Sequence, residues 1–152
     1  MPSGTAIRPG DILHMRNGKT IEVINTDAEG RLIMADALAF ASESKPDIIC
    51  DVATLTGAAY VALGVEIGAV FSNNKVTLDS FLNSNNDGFE NYHSLPLEQS
   101  YKSQIKSNIA DMKNSGGRFG GAITAALLLE EFVDNLNWIH LDIAGPARSR
   151  SS

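Results

Sequence analysis

The segment Asn25-Thr-Asp-Ala-Glu-Gly-Arg31 sets two carboxylates and a guanidinium, Asp27, Glu29 and Arg31, at alternate positions. In an extended backbone alternate side chains share one side, so this spacing predicts three charged groups facing one direction. Carboxylate oxygens are hard ligands that suit magnesium and manganese and also serve zinc. A divalent ion in such a place lowers the pKa of a bound water and polarises a carbonyl. The same residues have a structural reading. Asp27 can cap a helix that starts near Ala28, with Glu29 at its positive end and Arg31 solvated in the first turn. Spacing alone leaves both open. A second polar turn, Ala53-Thr-Leu-Thr-Gly-Ala58, is small and hydroxyl-rich, and its Gly57 either lets a substrate backbone approach closely or serves as a plain turn glycine.

The elements that must position these turns alternate. Residues 20–26 have strand composition and follow the turn signal Asn17-Gly18. Residues 31–44 are rich in Ala, Leu and Met and predict a helix, which Lys45-Pro46 ends. Residues 47–53 form a nearly continuous apolar run, the pattern of a strand buried on both faces. Strand, helix, strand in that order predicts a βαβ unit with parallel strands and a right-handed crossover. Both polar turns then leave the carboxyl ends of strands in one sheet, where open α/β folds bind ligands. Further strands are expected at residues 67–72 and 138–143, and helices at 78–83 and 97–105. Gly116-Gly-Arg-Phe-Gly-Gly121 opens a helix over 122–133 that is apolar on most faces and so belongs in a core. The expected fold is α/β, a mixed, mainly parallel sheet flanked by helices. Residues 1–146 read as one domain and 147–152 as a loose tail.

Length and composition bound the function. The 152 residues suit one domain, with 43% hydrophobic and 20% charged residues. A net charge of -6 argues against a nucleic-acid binder, which needs a basic face. The single cysteine, Cys50, makes neither an internal disulfide nor a cysteine cage for zinc and reads as a small buried hydrophobe. The first residues lack the pattern of a signal peptide and no apolar run is long enough to span a bilayer, so a soluble, cytoplasmic protein is expected. His14, His93 and His140 stand far apart and read as structural; Asp36, in a helix interior, and Asp142, at a strand end, suit structural hydrogen bonding at least as well as a role as extra ligands. The glycine-rich loop lacks the Gly-Lys-Ser/Thr ending of a phosphate loop.

The run Asn25-Thr-Asp-Ala-Glu-Gly-Arg-Leu-Ile-Met-Ala-Asp-Ala-Leu38 resembles the signature of the leucyl (cytosol) aminopeptidase family. Met1-Pro-Ser-Gly4, Arg8-Pro-Gly-Asp11, Arg16-Asn-Gly-Lys19, Ala53-Thr-Leu-Thr-Gly-Ala58 and His140-Leu-Asp-Ile-Ala-Gly145 follow in the family's order, so the resemblance covers residues 1–146. It implies that Asp27 and Glu29 are metal ligands in a two-metal (manganese or zinc) site, and that Arg31 holds a bicarbonate-like anion that assists proton transfer. It also implies that Leu55 contributes backbone to the anion and substrate, and that Thr54, Gly57 and Ala144 line the pocket for the substrate's first side chain. The implied reaction is hydrolysis of the amino-terminal bond of peptides.

In the family a lysine and two aspartates from a stretch ahead of the Met-Pro-Ser-Gly segment complete the ligand set, and a second, catalytic lysine lies there too. This chain is therefore expected to hold part of the site and, alone, to be inactive or nearly so. The alternative is a non-catalytic fragment or assembly module that keeps the fold. The family assembles as a hexamer, so a homo-oligomer is expected.

Overall fold

Asn17-Gly18 turns the chain back on itself, with Gly18 at φ 86°. It pairs β1 (Ile12–His14) antiparallel with β2 (Thr20–Glu22). The computed structural model describes residues 3–85 and 90–148. Within them β3 spans Ile49–Ala53, β4 Ile67–Ser72, β5 Asn91–Ser94, β6 Met112–Lys113 and β7 Trp138–Asp142. The strands form two mixed sheets, one ordered β1-β2-β6 and the other β3-β7-β4-β5. Parallel pairing joins β2 to β6, β3 to β7 and β4 to β5, while β4 and β7 run antiparallel. The mixed, mainly parallel α/β fold is as expected.

Two helices fill the space between these sheets. In α1 (Gly30–Ser42) the buried residues Leu32, Ala35, Leu38, Ala39 and Ser42 recur at helical spacing, while Ile33, Asp36 and Phe40 face outward. Lys45, in the left-handed region at φ 49°, and Pro46 stop it. In α4 (Gly121–Glu130) every residue from Thr124 to Leu129 is buried, the core role its composition predicts. Around them lie Ile21, Val23, Phe71 and Trp138. On the other face of the larger sheet, α3 (Lys75–Ser84) covers Val70, Ile139 and Leu141 with Leu78, Phe81 and Leu82. The stretch expected as a helix at 97–105 is a 3-10 helix, Gln99–Ile105.

His140 is structural, as expected. It lies in register between Asp51 and Phe71, stacks on Phe71 and Trp138 with centroids 5.9 Å away, and bonds through Nδ1 to Asp51 Oδ1. Trp138 Nε1 donates to the other Asp51 oxygen at 2.6 Å.

Three expectations are corrected. The strands flanking α1 do not form a βαβ unit, because β2 and β3 belong to different sheets. The Asn17-Gly18 hairpin supplies β2 with a partner on one edge and β6 occupies the other, leaving no place for β3. Residues 47–53 are not buried on both faces. Ile48 and Val52 are 52% and 53% exposed, since β3 is the last strand of its sheet and α3 packs over the other strands. Cys50, on that same outer face, is exposed rather than a buried hydrophobe.

Candidate functional site

Residues 23–31 leave β2 and turn into α1 in two steps. Thr26–Ala28 is a 3-10 turn capped by Asn25, whose Oδ1 accepts the Asp27 amide at 2.9 Å. Glu29 is helical (φ -75°, ψ -33°) and occupies the cap position of α1 without a side-chain cap bond. The backbone is thus not extended, and Asp27, Glu29 and Arg31 do not share a side by strand alternation. The 3-10 turn and the start of α1 leave Asp27 and Glu29 exposed and carry Arg31 partly inward. Neither acid caps a helix through its side chain. Their carboxylates accept no hydrogen bond among the described residues.

Arg31 points into the protein. Its Nη1 donates to the Asn114 carbonyl at 3.0 Å, and its Nε is buried with no partner. Burial lowers its pKa from the ordinary arginine value, opposed first by the charge of Asp142 and then by that of Glu29. The guanidinium remains cationic at any physiological pH.

Asp142 ends β7 at 1% exposure and gathers the second polar turn. Its Oδ1 accepts the amides of Leu55 at 3.1 Å, Thr56 at 3.3 Å and Ala144 at 3.2 Å, and its Oδ2 accepts the Thr56 hydroxyl at 2.6 Å. Charge-assisted bonds of this kind are about twice as strong as neutral ones. They bring Leu55 and Ala144 together from distant parts of the chain, with Thr54 and Gly57 flanking. Thr56 also caps α2 (Gly57–Leu63) by accepting the Ala59 amide at 3.0 Å. Gly57 is the first residue of that helix, not a positive-φ turn glycine.

The two turns meet although they leave different sheets. A methyl on Gly30, at the start of α1, would stand 3.6 Å from Leu55 Cδ1. One on Gly121, at the start of α4, would stand 3.1 Å from Ala58 Cβ. The positive ends of α1 and α4 therefore lie beside the same turn, a setting that favours anions. At their other ends the two helices meet again, where Ser42 Oγ donates to the Phe132 carbonyl at 3.2 Å. A polar hollow of about 690 Å³, walled by Lys19, Lys102, Glu130 and Glu131, sits at that end. With 13 residues, α1 separates it from Arg31 by about 20 Å.

This arrangement has close counterparts. The description "Cytosol aminopeptidase family, catalytic domain" matches residues 1–152. The chain belongs to the cytosol aminopeptidase family. It is 53% identical over 146 residues to a probable cytosol aminopeptidase of Prochlorococcus marinus subsp. pastoris, covering 95% of this chain and 30% of that protein. It is 54% identical over 149 residues to one from Picosynechococcus sp., covering 98% and 30%. A solved structure of a mutant tomato leucine aminopeptidase superposes with a TM-score of 0.96 at 48% identity, covering 99% of this chain and 30% of the tomato chain. The chain thus spans about 30% of the length of these relatives.

For a member of the cytosol aminopeptidase family the donor set here is small. Among the described residues no three His, Cys, Asp or Glu side chains gather where they could hold a metal ion. What is present fits such ions in kind, since Asp27 and Glu29 offer hard oxygens engaged in no other bond. The orphan Nε of Arg31 likewise fits an anion. Sequence reasoning passed over Asn114 and Thr56. Asn114 carries no local signal because its partners lie far away in the chain, and for Thr56 only the cap on α2 is local, its partner Asp142 being remote.

Proposed function

We propose that this chain carries part of the two-metal centre of an aminopeptidase that removes amino-terminal residues from peptides. The observation that supports the reading is the position of Asp142. Its carboxylate holds the Leu55, Thr56 and Ala144 amides and is also the largest charge favouring the Arg31 cation. The carboxylate that anchors the turn read as the substrate wall therefore also acts by its charge on the residue read as the anion holder.

In this reading Asp27 and Glu29 hold divalent ions, manganese or zinc, through their free carboxylates. Such ions, when bound, acidify a water and polarise a carbonyl. The remaining work falls to this chain's own groups. Arg31 would hold a bicarbonate-like anion through its planar fork, which would place a proton-accepting group beside the site. The Leu55 backbone steers the peptide, and Thr54, Gly57 and Ala144 leave room for its first side chain. Two carboxylates leave most positions around two ions open, so this chain alone binds metal weakly and has little or no activity.

Isothermal titration with manganese tests this. Weak binding that D27A and E29A each abolish is expected; binding that survives both substitutions overturns the assignment. Release of leucine from a chromogenic amide reads activity directly.

A second reading, an assembly module that associates with its own kind, is favoured by two exposed apolar side chains, Val52 on β3 and Ile48 just before it. Light scattering distinguishes it: a concentration-dependent oligomer that I48K/V52K dissolves supports assembly through this edge, and a monomer at all concentrations excludes it.

A further inference from the structure

We propose that Asn114 is the positioning residue that holds the metal-ligand segment and Arg31 in place; this rests on the reading of Asp27 and Glu29 as ligands. Asn114 directly follows β6 and is fully buried, at 0% exposure. Its Oδ1 accepts the amides of Ile24 at 2.9 Å and Asn25 at 3.2 Å. Its Nδ2 donates to the carbonyls of Asn25 at 2.6 Å and Ala28 at 3.5 Å. A carboxamide offers two lone pairs and two hydrogens at its tip, and here all four are used on one segment.

The backbone of Asn114 completes the brace. Its amide donates to the Glu22 carbonyl at 2.9 Å, which fixes it to the end of β2. Its carbonyl accepts Arg31 Nη1 at 3.0 Å. One residue thus clamps both sides of the 3-10 turn that carries Asp27, and it also sets the guanidinium two residues beyond Glu29.

The residue type follows from the chemistry. Aspartate has the shape but no hydrogens for the two carbonyls. Glutamine is one methylene longer than this fully buried position holds, and an apolar residue takes the partner from the Ile24 and Asn25 amides and the Ala28 carbonyl. Residues that orient metal ligands from behind commonly change metal affinity by about 10–100-fold when replaced.

The test uses the full chain and manganese alone, with N114D and N114A. Affinity per folded molecule is read by titration, folded fraction by circular dichroism and local opening by amide hydrogen exchange. Expected are a drop in affinity of about 10–100-fold and faster exchange at Ile24, Asn25 and Asp27, with exchange in β3 and β7 unchanged. If N114A fails to fold, the isosteric N114D gives the reading. A lowered melting temperature with unchanged affinity per folded molecule means that Asn114 is merely structural, and overturns the proposal. Wild-type binding indifferent to D27A and E29A defeats the metal reading instead. In that event selective exchange at residues 24–28 still decides whether Asn114 braces them, and uniform exchange overturns it.

Discussion

The Thr56 hydroxyl donates to Asp142 Oδ2 at 2.6 Å, and Thr56 Oγ1 itself accepts the Ala59 amide at 3.0 Å. One atom thereby ties the carboxylate at the end of β7 to the first turn of α2. T56V keeps the shape and loses both bonds: about 1.5–3 kcal/mol for the bond to a charged group and about 1 kcal/mol for the cap. T56S keeps both bonds and is expected to lose less than about 1 kcal/mol, the order of a buried methyl group. Urea unfolding of the pair separates the hydroxyl from the methyl.

Arg31 Nε is buried with no partner at the start of α1. Bicarbonate is expected to shift the ¹⁵N resonance of that nitrogen saturably in the wild-type chain. R31K keeps the charge and removes the planar fork, so anion binding is expected to weaken about tenfold or more, the scale of one charge-assisted bond. Equal affinity in R31K would mean that the anion is held by charge alone.

Glu131 lies between Lys102 and Lys19. Burial pushes its pKa up, but the hydrogen bonds from Lys102 and Lys19 outweigh that and hold it below the ordinary carboxylate value. A carboxylate depressed in the folded state stabilises above its unfolded pKa, and the contribution is lost as pH falls through the lower folded value. Partial exposure limits it to roughly 1 kcal/mol. Stability measured from pH 7 down to pH 3 is expected to fall less steeply in E131Q than in the wild-type chain.

Two glycines beside the site separate room from crowding. A methyl on Gly145 would stand 2.0 Å from the Gly64 carbonyl oxygen, a backbone atom with nowhere to go. G145A is expected to cost about 3 kcal/mol or more through overpacking. Gly57 has nothing within 4 Å and begins a helix at ordinary φ. G57A is expected to stabilise by about 0.5–1 kcal/mol, by restricting the unfolded chain. Thermal melts of the two variants are expected to move in opposite directions.

Elements whose pattern is local were legible before any coordinates. The strand Ile67–Ser72 lies where its apolar run predicts, and α1, α4 and β7 differ from expectation only at their ends. Short elements whose partners are remote were not. β6 has 2 residues and exists because β2 offers it an edge. Asn114 looks like any residue before a glycine-rich loop until the segment 90 positions away in the chain closes on it.

The letters alone determined the family and the α/β class. They did so because helical periodicity, apolar runs and a long signature are properties of neighbouring residues. Only the tertiary structure decided that the flanking strands enter separate sheets, that Arg31 turns inward while Asp27 and Glu29 stay exposed, and that Asn114 and Asp142 anchor the two turns. Those outcomes depend on which edges find partners and which buried polar groups must be satisfied, and both are settled by contacts between residues far apart in the chain.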